Sequence, residues 1–287
     1  MGLIYNNALM MLKAKENGIN FDKILTLGHQ KLYINEKEII NLSKRFNIDI
    51  SGFDCQNNKY ADEFFKLFLG SKTIESLDYS EYENCNIIHD MNRKIPQKYY
   101  QNYDVVIDGG ALEHIFNFPV AIENCLNMVK QNGSIFIFSM ANNHMGHGFY
   151  QFSPELYFRI FEKNGFETKN IILDEHKYPG PEISPTGKSY LVTDPKITKS
   201  RISVVSKKPL LIMVHAVRKE ITELFSEYPI QSDYVNLYDD KSNINENKNM
   251  LKTFIKSILP TKIKNIIIGN LQLKKYSLKN GDFFRKW

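Results

Sequence analysis

Short apolar runs ending in glycine or an acid alternate along this chain with longer stretches in which apolar residues return every three or four positions. The first rhythm is that of strands buried on both faces, the second that of helices with one buried stripe. KILTLG (23–28), TIESLD (73–78), NIIHD (86–90), YDVVIDGG (103–110) and SIFIFSM (134–140) are the strand candidates, YDVVIDGG the clearest. Helices are predicted between them over 3–16, closed by Gly18, and over 36–46, where Ile39, Ile40, Leu42 and Phe46 keep near-helical spacing. Two more are predicted over 61–69, closed by Gly70, and over 117–130, closed by Asn132 and Gly133. Strands and helices in alternation predict a parallel sheet covered by helices on both faces.

The rhythm changes after residue 150. SPEL (153–156) is a helix start: Ser153 can cap free N–H groups, Pro154 sits in the first turn, and Glu155 faces the positive end of the dipole. That helix runs to Asn164 and ends at Gly165. FETKNIIL (166–173) and RISVVSKK (201–208) then read as two late strands, joined by a loop holding Pro179, Pro181, Pro185 and Gly187. They suit a terminal antiparallel pair on an otherwise parallel, doubly wound sheet occupying residues 1–209. From Leu210 the composition differs: VRKEITELFSEY reads as an amphipathic helix, DDKSNINENKN as a linker, and MLKTFIKSILPTKIKNIIIGNLQLKK is basic and apolar together. Residues 210–287 are therefore expected to form a basic, mainly helical extension.

Composition narrows the class. At 287 residues and 43% hydrophobic, the chain can bury a full α/β core with material to spare. The net charge of +5 is unevenly spread: residues 241–287 hold eleven Lys and Arg against two acids, so the body is mildly acidic and the tail strongly basic. Cys55, Cys85 and Cys125 form no CxxC pair and no even framework, which fits a reducing cytoplasm. The N-terminus lacks the charged start and unbroken apolar stretch of a signal peptide, and no window approaches the roughly 20 apolar residues of a membrane span. The expectation is a cytoplasmic protein, at most peripheral at the inner membrane face.

In an open parallel sheet, ligands lie beyond the carboxyl ends of the strands. The segments there are LGHQ (27–30), LDYSEYE (77–83), HDMN (89–92), DGGALEH (108–114) and MANNHMGHGFYQ (140–151), and each is polar or Gly-rich. Four blocks, LGHQ, SLDYSEYENCNIIHDMN, VVIDGGALEHIFNFPVAIEN and NNHMGHGFYQFSPELYFRIF, resemble class I S-adenosylmethionine-dependent methyltransferases of the kind encoded with bacterial surface-polysaccharide genes. The resemblance spans roughly residues 20–210. It implies a Rossmann-like α/β fold, S-adenosyl-L-methionine as cofactor, and a sugar or nucleotide-linked acceptor from capsule or other surface-polysaccharide synthesis.

There are departures from the pattern. A GxGxG-like turn is usual after the first strand, and here only Gly28 stands. The ribose-binding acid is expected about 20 residues further on, whereas Asp78 lies fifty beyond Gly28 and Asp54, in ISGFD, is the nearer rival. The single glycine also keeps a second hypothesis in view, a degenerate Rossmann-like domain serving as a non-catalytic binding or scaffold subunit.

The cofactor candidates are Gly28, Gln30, Asp78, Asp90, Met91, Asp108 and Gly109, with Asp78 on the ribose and Asp90 and Met91 flanking the adenine. Asp108 is also a catalytic candidate, since an acid at that strand end favours the sulfonium or orients the acceptor. Methyl transfer is an in-line displacement that chiefly needs alignment, and a base only where the acceptor must lose a proton. His114 and His147 are the candidate bases; Glu113, His144, Tyr150 and Gln151 are candidate substrate ligands. Metal binding is the rival role for the histidines, but no HExxH or cysteine cluster supports it, so no metal is expected. The basic tail reads either as a solvated or homodimerising appendage or as a segment lying on an anionic membrane; nucleic acid ranks lower, because no RNA-binding motif accompanies the charge.

Overall fold

A computed structural model describes residues 2–54, 58–177, 187–239 and 261–287. Its centre is a nine-stranded sheet in the order β11-β9-β8-β10-β7-β6-β2-β4-β5. The strands are β2 (Lys23–Leu27), β4 (Thr73–Asp78), β5 (Ile87–Ile88), β6 (Tyr103–Asp108), β7 (Val129–Asn142), β8 (Phe166–Glu175), β9 (Ser189–Val192), β10 (Leu210–Arg218) and β11 (Phe284–Lys286). A short β1 (Gly2–Leu3) pairs separately with β3 (Lys31–Leu32). The five strands from β5 to β7 are parallel, and β10, β8, β9 and β11 meet their neighbours antiparallel.

Alternation along the strands divides the core in two. Val105 and Ile107 of β6 face one side with Ile24 and Phe136, under α1 (Tyr5–Glu16), α2 (Glu36–Phe46) and α3 (Asp62–Phe64), which continues as a π turn over Phe65–Leu69. Val106 faces the other side with Leu25, Ile135 and Ile137, under α4 (Phe118–Met128) and α5 (Pro154–Lys163). The start of α2 is written in the sequence: Asn35 Oδ1 accepts from the Glu38 N–H at 3.1 Å and Glu38 Oε2 from the Asn35 N–H at 3.0 Å, a reciprocal cap. Ser153 does not cap α5 with its hydroxyl; instead Glu155 accepts from the Ser232 N–H at 2.9 Å and lies 3.4 Å from Arg159.

The antiparallel part differs from expectation. Residues 201–208 form no strand, and the partner of β8 is Leu210–Arg218, beyond the predicted limit of the sheet. Ile202 and Val204 do pack against the core, which explains their alternating pattern, but no strand lies alongside; the Val205 N–H bonds Tyr276 O at 3.0 Å. β10 is buried along its whole length between β7 and β8, and its unbroken LLIMVHAV run is the signature of a strand covered on both faces. The helix expected over VRKEITELFSEY is absent for the same reason: Val217 and Arg218 end β10, and turns follow. Short helices α6 (Pro195–Thr198) and α7 (Ser232–Asp239) and the longer α8 (Thr261–Lys275) lead to β11, which pairs with β9 at the sheet edge. Most of the expected linker and the proline-bearing loop lie outside the described residues. No helix among the described residues is long and apolar enough to cross a membrane.

β10 also carries a titration device. His215 is buried, stacked on Phe136 with centroids 4.3 Å apart, and its Nε2 is 3.2 Å from Ser134 Oγ. Burial lowers its pKa from 6.5 to about 4. The unfolded chain therefore holds the extra proton between these values, so the contribution is complete above pH 6.5 and is lost as pH falls toward 4. The loss is on the order of 3 kcal/mol. Asp174, raised to about 6 by burial, acts in the opposite sense over the lower part of that range. The comparison that isolates His215 is urea unfolding of wild type against His215→Gln at pH 7.5 and 5: the gap, stability at pH 5 minus stability at pH 7.5, should shift upward in the variant. An unchanged gap would show that His215 does not govern acid sensitivity.

Candidate functional site

Leu27, Leu77 and Asp108 lie side by side across β2, β4 and β6, so the loops that follow these strands share one rim. The chain winds from β2 outward to β4 and β5, then crosses back to β6 and β7, which puts the reversal of strand order between β2 and β6. A crevice at that place is where open α/β sheets bind ligands.

Gly28 has φ +69°, and its N–H bonds Leu77 O at 2.7 Å, so the turn after β2 hugs the end of β4. His29 braces it: Nε2 is 2.7 Å from Asp62 Oδ2, Nδ1 is 2.8 Å from Glu83 O, and the ring stacks on Tyr60 at 3.7 Å. Gln30 turns inward and donates to Leu27 O at 2.6 Å and Gly28 O at 3.2 Å.

A cleft of about 280 Å³ opens above this turn, lined by Gly28, Asp78, Asp90, Met91, Asn92 and His114 among others. Leu27, Leu77 and Ile115 make much of its wall apolar. Asp78 Oδ1 accepts from the Tyr79 N–H at 2.6 Å. Asp90 Oδ1 accepts from both the backbone and the side-chain N–H of Asn92, and these bonds hold its carboxyl below the usual range. Sequence reasoning had singled out Gly28, Asp78, Asp90 and Met91, and all four converge here. It passed over His89, Asn92 and Ile115, although each lies next to or within a block already marked as strand-end.

After β6 the chain makes a tight turn around Asp108. Asp108 is fully buried, and Oδ1 accepts from the N–H groups of Ala111 at 2.7 Å and of Gly110 and Leu112 at 3.3 Å. Burial, and secondarily the nearby Glu113, raise its pKa. It lines neither cavity described here and shapes the turn instead. That turn presents Gly109, Gly110, Glu113 and His114 to a second cavity of about 200 Å³, also lined by His147, Asn7, Tyr33 and Met140. His114 lines both cavities.

Glu113 is fully buried; Oε2 accepts from Ser139 Oγ at 2.8 Å, while Oε1 has no hydrogen-bond partner and lies 3.8 Å from His147 Nε2. Burial raises its pKa, and burial lowers that of His114. The loop bearing His147 is folded onto Glu113, whose carbonyl accepts from Phe149 N–H at 2.8 Å and Tyr150 N–H at 3.2 Å. A Cβ on Gly148 would lie 2.8 Å from that carbonyl oxygen, so only glycine lets the loop approach so closely. The rings of His114 and His147 are 5.2 Å apart, and the oxygen or nitrogen ligand atoms of Glu113, His114 and His147 lie within 4.8 Å of one another.

The other candidates are placed elsewhere. Gln30 lines neither cavity and fills the space over Gly109. Tyr150 donates through its hydroxyl to Phe116 O at 2.7 Å, and Gln151 Oε1 accepts from the His144 N–H at 2.9 Å, so both serve the loop. His144 stands behind His147, with its ring 5.1 Å from that of His176; burial and then His176 bring its pKa down to about 4. Asp54 is exposed and lies outside the lining of both cavities.

No family profile and no curated protein matches the chain. Solved structures do match. An S-adenosylmethionine-dependent methyltransferase from Thermotoga maritima is 12% identical, with a TM-score of 0.42, covering 74% of this chain and 89% of that one. One from Aquifex aeolicus is 12% identical with a TM-score of 0.35, covering 72% and 87%. The 1,6-didemethyltoxoflavin-N1-methyltransferase of Burkholderia thailandensis, solved with S-adenosylhomocysteine, is 10% identical with a TM-score of 0.40, covering 75% and 78%.

Proposed function

We propose that the chain is an S-adenosylmethionine-dependent methyltransferase whose nucleoside occupies the first cavity and whose acceptor occupies the second. The observation that carries this reading is that the two cavities adjoin across the 109–114 turn and share His114. A reaction that joins two bound molecules needs two such compartments meeting at one point. The lining of the first suits an adenosyl group. Gly28 offers backbone without a side chain, Asp78 a carboxylate for the ribose hydroxyls, and Met91 with Leu27 and Leu77 apolar surface for a flat base. Asp90, charged at neutral pH through its bonds from Asn92, is the acceptor for an exocyclic amine.

When bound, the cofactor supplies an activated methyl group on a sulfonium; the chain supplies position. Glu113, His114 and His147 face the acceptor, and the ring nitrogens of the two histidines are the groups placed to receive its proton. His144, Tyr150 and Gln151 hold the loop that carries His147. The sequence resemblance supports a sugar or nucleotide-linked intermediate of surface-polysaccharide synthesis as the acceptor. Calorimetry with S-adenosylhomocysteine tests the first compartment. The expected result is one site per chain with Kd below about 1 mM, or about −4 kcal/mol or better. Absence of heat at that concentration, with the protein folded, would remove the enzymatic reading.

A further inference from the structure

We propose that Glu113, His114 and His147 bind a divalent transition-metal cation of the zinc class in the lining of the second cavity, leaving a coordination position open toward the acceptor. That the open position serves an acceptor rests on the methyltransferase reading; the cation site itself does not.

Two independent observations point to it. The first is composition and proximity: one carboxylate oxygen and two imidazole nitrogens within 4.8 Å of one another, all lining one cavity. Two histidines and one carboxylate are a donor set that zinc and its neighbours take, whereas magnesium and calcium prefer oxygen alone. The second is the state of Glu113. Its side chain is 0% exposed, Oε2 is held by Ser139, and Oε1 faces His147 with no hydrogen bond. A buried carboxylate oxygen left without a hydrogen-bond donor is costly, and a cation would supply its partner. Ser139 then does for Glu113 what hydrogen-bonded neighbours do for metal ligands in general, fixing which oxygen points inward.

The separation is wider than the roughly 3.3 Å between ligands of a tetrahedral site with bonds of about 2.0–2.1 Å. The part able to close it is His147, which is half-exposed and lies between Gly146 and Gly148. Glu113 and His114 sit on the 3-10 turn Leu112–His114 and provide the fixed half. Three protein ligands with one position free is the arrangement of catalytic rather than structural zinc. With the cation in place the two histidines are its ligands and no longer proton acceptors; an acceptor hydroxyl fills the open position, and its proton passes to water.

The test uses the full chain stripped with chelator, then titrated with Co2+ while visible absorption is recorded, and with Zn2+ by calorimetry. One tight site per chain is expected, with the visible bands of a low-coordinate cobalt site. His147→Ala should weaken it about 100-fold or more, and Asp54→Ala, exposed and outside both cavities, should leave it unchanged. Because Glu113→Gln alters a buried group, His147→Ala is the deciding variant, with circular dichroism confirming its fold. No stoichiometric binding, or equal binding by His147→Ala, overturns the proposal. S-adenosylhomocysteine calorimetry on the same stripped protein separates the two readings: nucleoside binding without cobalt binding removes only the cation, and cobalt binding without nucleoside binding removes only the transferase.

Discussion

Gly109→Ala is expected to lower the stability of the chain by about 2–3 kcal/mol and to weaken S-adenosylhomocysteine binding about tenfold, in spite of adding a single methyl group. The added Cβ would lie 1.9 Å from Gln30 Oε1 and 2.6 Å from its Cδ. Elsewhere a long side chain would swing aside, but Gln30 is buried and its amide is committed to the carbonyls of Leu27 and Gly28. Moving it takes a donor from Leu27 O and from Gly28 O, the latter still held by the Thr26 hydroxyl at 2.8 Å, and loosens the turn beside the first cavity. The effect therefore reaches the ligand through Gln30, which touches neither compartment. Gln30→Ala alone should cost about 1–3 kcal/mol through the lost hydrogen bonds to Leu27 O and Gly28 O. The double variant should be less destabilised than the sum of the two, because Gln30→Ala makes room for the methyl group. Strict additivity in urea unfolding would mean that Gly109 is needed for a reason other than this contact.

Gln30 illustrates what the sequence conveys and what it withholds. Its position directly after a strand was legible, and it made Gln30 a candidate ligand; whether the side chain points into the crevice or back beneath it depends on the turn, which Gly28 sets with its positive φ. Asp108 repeats the lesson. An acid at the end of the central strand reads as functional, yet three backbone N–H groups of its own loop reach its Oδ1 first. Asp78 ends β4, and Asp90 and Met91 lie in the turn just past β5, so the ends of the parallel strands carry all three to the lining of the first cavity.

The parallel half of the sheet was legible for a related reason: β2, β6 and β7 each hold an apolar run and lead to α2, α4 and α5, while β4 and β5 are followed only by single 3-10 turns. Of the antiparallel half only β8 was legible, expected over 166–173 and found over Phe166–Glu175. Ile202 and Val204 alternate with polar neighbours as an edge strand would, but the alternation reflects one-sided burial of an extended segment. Leu210–Arg218 was assigned to the extension because composition, not periodicity, changes nearby, and a strand inserted between β7 and β8 is announced by no local signal beyond apolarity. The cluster of Glu113, His114 and His147 could not be seen as a unit either. His147 is 33 residues beyond His114, and it reaches the cluster only because its loop folds onto the Glu113 carbonyl.

Asp78→Ala should weaken S-adenosylhomocysteine binding about 100-fold, a loss of about 3 kcal/mol. A carboxylate accepting hydrogen bonds from two vicinal hydroxyls forms charge-assisted bonds, worth about 1.5–3 kcal/mol where water is partly excluded. Asp78 ends β4 opposite Ile88, lines the first cavity, and is steadied by the Tyr79 N–H on Oδ1. The distance of fifty residues from Gly28, which set it against the nearer Asp54, is explained by the fold. Residues 29–72 contain α2 and α3 and return the chain to β4, directly beside β2, whereas Asp54 is exposed on the way. Asp54→Ala should consequently leave affinity unchanged. Asp78→Asn separates charge from shape: it keeps an oxygen for Tyr79 but loses the negative charge, so its affinity should fall between wild type and Asp78→Ala. Equal affinity in wild type and Asp78→Ala, with Asp54→Ala impaired, would reverse the assignment and place the ribose at Asp54, outside both cavities.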